Sequence, residues 1–289
     1  MTTNPDSLEK PLDQLTDSNR ILRFFQVNND HPRSLSSNQI HQYNEKGYIL
    51  GLPVFTQDEM KVHRKNFNSL MATLARHGKD SYAINGFHAS CQSIYELVQE
   101  PRILDYVQDI LGSNFVCWGT HYFCKMPHDG KSVAWHQDAT YWPLSPSQTV
   151  TVWLAIDDAD EENSAMRVIP GTHLLGGLKT RATDAAENNV LSATVDHVEK
   201  FGMPVHMSMK AGEMSLHADL LLHGSLPNHS NRRRCGLTMR YAHVDVRSYK
   251  GWNTSSIIVR GHDKSNHWAN IQPPRGDHPL AQVQKIGGN

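Results

Sequence analysis

Apolar residues recur at helical spacing in the first third of the chain and at alternating positions after it. In "TQDEMKVHRKNFNSLMATLARHG", Met60, Phe67, Leu70 and Leu74 share one helical face with His63. Thr56 stands at the N-cap position and Gly78 where the helix would stop. "SSNQIHQYNEKGYILG" predicts a helix from Ser37, stopped near Gly47, that leads into a short strand from Tyr48 to Leu52. "CQSIYELVQEPRILDYVQDILG" predicts two short helices broken at Pro101. Residues 1–36 are polar throughout and are expected to form a loosely attached N-terminal arm.

After Gly112 the period shortens. "NFVCWGTHYFCKM", "TVTVWLAID", "AMRVIPG", "GEMSLHADLLLHGS" and "CGLTMRYAHVDV" are rich in β-branched and aromatic residues, with turn residues between them. Short strands so spaced predict an antiparallel sandwich or barrel. Helices first and strands after, without alternation, argue against a nucleotide-binding α/β fold, and no glycine-rich phosphate loop is present. The expected fold is therefore mainly β with flanking α, a single domain over 37–289. Residues 176–204 lack a strand period and are expected as a lid-like excursion over a barrel mouth. The tail from about 249 is expected to be mostly loop.

Composition narrows the partners. A formal net charge of −1 gives no basic footprint for nucleic acid or an anionic membrane. No apolar run approaches the roughly 18 residues that span a bilayer. The opening "MTTNPDSLEKPLDQLTDSN" has no apolar signal core, so a cytoplasmic protein is expected. Cys91, Cys117, Cys124 and Cys235 form no CxxC pair and are expected as reduced, mostly buried thiols.

The chemistry gathers around histidine. "WHQDATYW" places His136 two residues before Asp138, and the same spacing recurs at His217/Asp219 and His243/Asp245. Among 18 histidines such spacing is not decisive by itself. Two imidazoles and one carboxylate make a ligand set suited to non-haem Fe(II). His217, Asp219 and His223 share strand parity, but alternate residues march about 6.6 Å apart along a strand, which is poor geometry for one ion. His136/Asp138 opens a loop between two β segments, and His223 begins a Gly-Ser turn at the end of another, so convergence from separate elements is open to them.

"WHQDATYWPLSPSQTVTVWLAIDDADEENSAMRVIPGTH" followed by "AGEMSLHADLLLHGSLPNHSNRRRCGLTMRY" resembles the phytanoyl-CoA dioxygenase family, and "YNEKGYILGLPVFTQDEM" resembles its opening helix and strand. The resemblance implies a double-stranded β-helix (jelly roll) with the N-terminal helices packed outside it. It implies Fe(II), 2-oxoglutarate as cosubstrate and O₂. By position, it places the iron ligands on His136, Asp138 and His223. It places the 2-oxoglutarate arginine on Arg234, eleven residues after His223, with Ser225, Trp153 and His121 near the cosubstrate and Trp142 near the substrate. Arg240 competes with Arg234, because 234, 236, 238 and 240 share a strand face.

The resulting expectation is a hydroxylase of a C–H bond in a small polar metabolite, aminophosphonate or amino-acid-like, releasing succinate and CO₂. Asp138 argues against halogenation, since related halogenases carry a small residue there. Arg247, Lys250, Arg260, Lys179 and Arg181 form the expected pool of substrate-neutralising charges. The alternatives are a hydroxylase of carrier- or CoA-bound acyl groups, and a cupin-like isomerase or non-catalytic binding protein.

Overall fold

The computed structural model describes residues 17–82 and 84–286. The described helices are α1 (Ser37–Lys46), α2 (Gln57–Ala75), α3 (Gln92–Leu97), α4 (Pro101–Leu111) and α5 (Pro279–Ile286). The described strands are β1 (Tyr48–Pro53), β2 (Phe115–Lys125), β3 (Val133–His136), β4 (Leu144–Ser145), β5 (Thr149–Ala155), β6 (Arg167–Val168), β7 (Arg181–Ala182), β8 (Ala193–Thr194), β9 (Val205–His206), β10 (Glu213–Ala218), β11 (His223–Ser225), β12 (Arg234–His243), β13 (Arg247–Ser248) and β14 (Ile257–Arg260).

Local signals set the helix ends. Ser36 and Gln39 close a capping box at the start of α1, and Thr56 and Glu59 do so for α2. Gly47 ends α1 at φ +83°, a left-handed conformation, and its chain turns at once into β1. Pro101 occupies the first turn of α4, where its missing N–H breaks no helical bond.

Two antiparallel sheets make the jelly roll. The larger has the order β1-β10-β5-β12-β2-β14, the smaller β3-β11-β6-β9. Alternation divides the faces of the larger sheet. Val150, Val152 and Leu154 of β5, Met214 and Leu216 of β10, and Leu237, Met239 and Tyr241 of β12 join Met60, Phe67, Leu74, Ile103 and Val107 of the helices in the main core. The alternate residues, Thr151, Trp153, Ser215, His217, Arg234, Thr238 and Arg240, are also buried, on the face turned away from the helices. Polar side chains buried between two sheets are costly unless partnered, and this inner layer holds the site.

One segment differs from its expected form. Residues 17–36 are tied to the body: the backbone N–H groups of Arg33, Ser34 and Leu35 converge on the Asp109 carboxylate at 2.7–3.1 Å. Phe24 packs on Tyr43 and His173. A polar average over the segment hides these few apolar anchors; residues 1–16 lie outside the described residues. The tail contributes β14 as an edge strand beside β2, because Ile257, Ile258 and Val259 form a β-branched run, and later α5. Within the 176–204 excursion, β7 and β8 pair as a small hairpin. It lies along the β3 segment, with the Val195 N–H donating to Trp135 O and the Tyr141 hydroxyl to Ala193 O. No described helix is long and apolar enough to cross a membrane.

Candidate active site

The strand pairing of the smaller sheet sets His136 and His223 directly opposite each other on β3 and β11. Their ring centroids lie 4.0 Å apart. Asp138 follows in the turn that ends β3, anchored by the Ala139 N–H donating to Asp219 O. One donor atom from each of His136, Asp138 and His223 falls within 4.8 Å of the other two, and all three residues are buried.

The hydrogen bonds fix which atoms are free. His136 Nδ1 lies 2.7 Å from Ala134 O, and His223 Nδ1 2.8 Å from Leu221 O. A carbonyl can only accept, so each Nδ1 carries the proton and each Nε2 presents a lone pair. Both Nε2 atoms face Asp138 Oδ1, at 3.7 and 3.9 Å, too far for hydrogen bonds. The other oxygen, Oδ2, accepts from the Thr151 hydroxyl at 3.2 Å and lies 3.6 Å from His217 Nε2. Burial opposes the charge of Asp138, but His136, His217, His223 and Arg240 outweigh it and hold the carboxyl well below its usual range. Burial, with His136 beside it, holds His223 neutral. Two imidazoles and one carboxylate, each oriented by a backbone or side-chain partner, fit a divalent first-row ion such as Fe(II).

Arg234 and Ser225 stand at one end of the same cavity, whose free volume is about 40 Å³. The Arg234 guanidinium donates to Ser164 O at 3.1 Å, Phe123 O at 3.2 Å and Ser225 Oγ at 3.3 Å. It is only 2% exposed. Among the described residues no carboxylate forms an ion pair with it. Trp153 lines this end too, its indole filling the space left by Gly236, where a Cβ would sit 2.0 Å from the ring.

The other expected positions fall differently. His121 is absent from the cavity lining; its Nε2–H donates to Tyr82 O at 2.9 Å, its ring stacks on Phe123 at 4.2 Å, and burial lowers its pKa to about 4. Phe123, two residues on, lines the cavity. Trp142 stands behind the lining, against Trp118 and Arg240. Asp219 accepts the Ser147 hydroxyl at 2.6 Å, and burial pushes its carboxyl up to about 6, with Asp138's charge adding. Asp245 is exposed beside His243. Of the expected charge pool, Arg181 pairs with Glu187 and Asp196, and Arg260 with Asp105. Arg247 donates to Val244 O and Val246 O.

Sequence reasoning set His217 aside as a ligand without placing it at the site, and it passed over Thr151. Alternation could have found both: Met214, Leu216 and Ala218 face the helices, so His217 faces the site. The parity argument linking His217 to His223 does not apply, because β10 ends at Ala218 and the chain turns before entering the other sheet at His223. A larger open groove runs between residues 24–33 and 108–113, but its one lining carboxylate, Asp109, is committed to the backbone N–H groups described above.

The sequence profile of the phytanoyl-CoA dioxygenase (PhyH) family matches residues 43–236. The chain belongs to the phytanoyl-CoA dioxygenase family. The matched span includes His136, Asp138, His223 and Arg234. Against the peroxisomal phytanoyl-CoA dioxygenase of Bos taurus the chain is 28% identical over 179 residues, 58% of this chain and 53% of that protein. Against a probable alpha-ketoglutarate-dependent hypophosphite dioxygenase of Stutzerimonas stutzeri it is 29% identical over 161 residues, 55% of this chain and 56% of that protein. The chain thus spans about half the length of these two family relatives. The solved structure of apo ThoJ, a non-heme monooxygenase, superposes with a TM-score of 0.70 at 25% identity, covering 86% of this chain and 93% of that one.

Proposed function

We propose that this family member is an Fe(II)- and 2-oxoglutarate-dependent dioxygenase that hydroxylates a C–H bond of a small polar acid. The observation that carries the reading is a pairing. Two buried Nε2 atoms and one carboxylate oxygen converge, and the buried Arg234 guanidinium, without an ion pair among the described residues, stands in the same cavity.

His136, Asp138 and His223 would hold the iron. Bound there with 2-oxoglutarate and O₂, it supplies the oxidising chemistry that hydroxylates a C–H bond as the keto acid is decarboxylated to succinate. The protein's share is placement. The Ala134 and Leu221 carbonyls keep both imidazoles in the ligating tautomer, and Thr151 holds Asp138 Oδ2 so that Oδ1 faces the imidazoles. The Arg234 fork suits the far carboxylate of 2-oxoglutarate, with Ser225 as a second donor. Phe123, Val133, Met166 and Trp153 give the cavity an apolar wall that excludes water.

The small-acid preference rests on the two arginines, Arg234 and Arg240, in the cavity lining. One relative, the probable hypophosphite dioxygenase, is named for a small anion, which supports the reading. The test is succinate release with Fe(II), 2-oxoglutarate, ascorbate and O₂ across amino acids, aminophosphonates and acyl-CoA thioesters. Stimulation by a small acid is expected. Turnover of an acyl-CoA with every small acid ignored would overturn the substrate class.

A further inference from the structure

Arg240 is the second buried guanidinium on the inner face of β12. It is 8% exposed and lines the cavity with the triad. Its Cζ lies 5.6 Å from the Trp118 ring centre and 5.2 Å from that of Trp142, and the two indoles meet edge to face at 4.7 Å. Its Nε has no hydrogen-bond partner. Among the described residues the guanidinium makes no hydrogen bond and no ion pair. Asp138, the acidic group whose charge reaches it, already has one oxygen on Thr151 and the other facing the imidazoles.

Arginines elsewhere in the chain show the contrast. Arg232 is satisfied by Asp160 and Glu162, and Arg233 by Asp157. A buried charge left unpaired is costly. Stacking on two indoles returns part of that cost, and an anion would return the rest. Arg234 and Arg240 are six residues apart on one strand, about 20 Å between Cα atoms. They therefore sit at opposite ends of the cavity, and one short dicarboxylate already chelated to a metal would not engage both.

We infer that Arg240, flanked by Trp118 and Trp142, is the anchor for an oxyanion on the primary substrate, a carboxylate or a phosphonate, at the end of the cavity away from Arg234. The inference rests on the reading that Arg234 takes 2-oxoglutarate. A planar guanidinium matches either oxyanion with two parallel hydrogen bonds, and the indoles hold its plane. It also explains why the basic residues of the excursion and tail are not needed at the site: those with partners given above are committed to carboxylates and carbonyls at the surface.

The experiment uses the full chain loaded with Fe(II) and 2-oxoglutarate under nitrogen. Propionate, methylphosphonate and neutral propionamide are titrated by calorimetry, and 2-oxoglutarate itself is titrated in parallel. The expected result is that an anion binds at least about tenfold tighter than propionamide. Which of the two anions wins assigns the class. Arg240→Gln is expected to abolish the preference, a loss of roughly ten- to a hundredfold, with 2-oxoglutarate affinity unchanged. If Arg240→Gln does not fold, Arg240→Lys replaces it and keeps a weakened preference, since a point charge substitutes for the fork. Three results overturn the inference: no anion preference in wild type that binds 2-oxoglutarate, full anion preference in the variants, or a loss of 2-oxoglutarate affinity in Arg240→Gln equal to that in Arg234→Gln. Wild type that binds no 2-oxoglutarate overturns the underlying reading, and this inference with it.

Discussion

The two oxygens of Asp138 have different partners, and that division is the centre of the residue-scale account. Oδ2 is held by Thr151 while Oδ1 faces both Nε2 atoms. Asp138→Ala therefore removes the one anionic donor and is expected to abolish iron binding, measured as bound iron per chain. Asp219→Asn and Asp245→Ala are expected to retain it, because neither carboxylate faces the imidazoles. Iron retained in Asp138→Ala but lost in Asp219→Asn would move the site to the other His-x-Asp pair. Arg234→Lys keeps the charge and loses the fork. Losing a charge-assisted contact weakens 2-oxoglutarate binding by about 1.5–3 kcal/mol, or roughly 10- to 150-fold. An unchanged 2-oxoglutarate KM would contradict its role. Residue spacing after His223 pointed to Arg234, but spacing could not say what Arg240 does, since both share one strand face. Only the third dimension separates an arginine beside Ser225 and Trp153 from one between Trp118 and Trp142.

At the scale of elements, β12 lines the cavity from end to end. Its inner face carries Arg234, then Gly236, Thr238 and Arg240. Gly236 lies against the Trp153 indole with no room for a side chain. Gly236→Ala is expected to displace that ring, lowering stability by about 1–3 kcal/mol through overpacking and raising the 2-oxoglutarate KM. Pairing it with Trp153→Phe should restore part of the melting temperature. A single variant with wild-type Tm and KM would remove Trp153 from the account. The helices and strands were largely legible because caps and alternation are local: Ser36, Thr56, Gly47 and Pro101 each stand where a terminus falls. The break between β10 and β11 was not legible. "EMSLHADLLLHGS" reads as one apolar run, and only the change of sheet separates His217 from His223.

At the scale of the molecule, the inner layer between the sheets holds more positive charge than its own carboxylates match. Lys125 is fully buried beside Arg234's strand position. Burial above all, with Arg234's charge adding, lowers its pKa to about 7 from 10.5. Between those two values the unfolded chain binds a proton that the folded chain does not, so this group makes stability rise with pH across that window. The slope is about 1.36 kcal/mol per pH unit for one proton. Urea denaturation of the apoprotein at several pH values from 7 to 10 should show the wild type gaining stability relative to Lys125→Met as pH rises; a variant that tracks the wild type throughout would contradict the assignment. The jelly roll as a whole was legible from the run of short strands and the family's motifs. The anchoring of residues 17–36 was not, because it depends on the Asp109 carboxylate some 75 positions away.

The central claim joins the triad to Arg234 through one small molecule. The most direct test is anaerobic addition of 2-oxoglutarate to the Fe(II)-loaded chain, followed through the visible absorption of an iron-chelated keto acid. The account predicts the band in wild type and in Asp245→Ala, its absence in Asp138→Ala, and its appearance in Arg234→Gln only at much higher 2-oxoglutarate. A band of wild-type strength in Asp138→Ala, or one at unchanged concentration in Arg234→Gln, would contradict it.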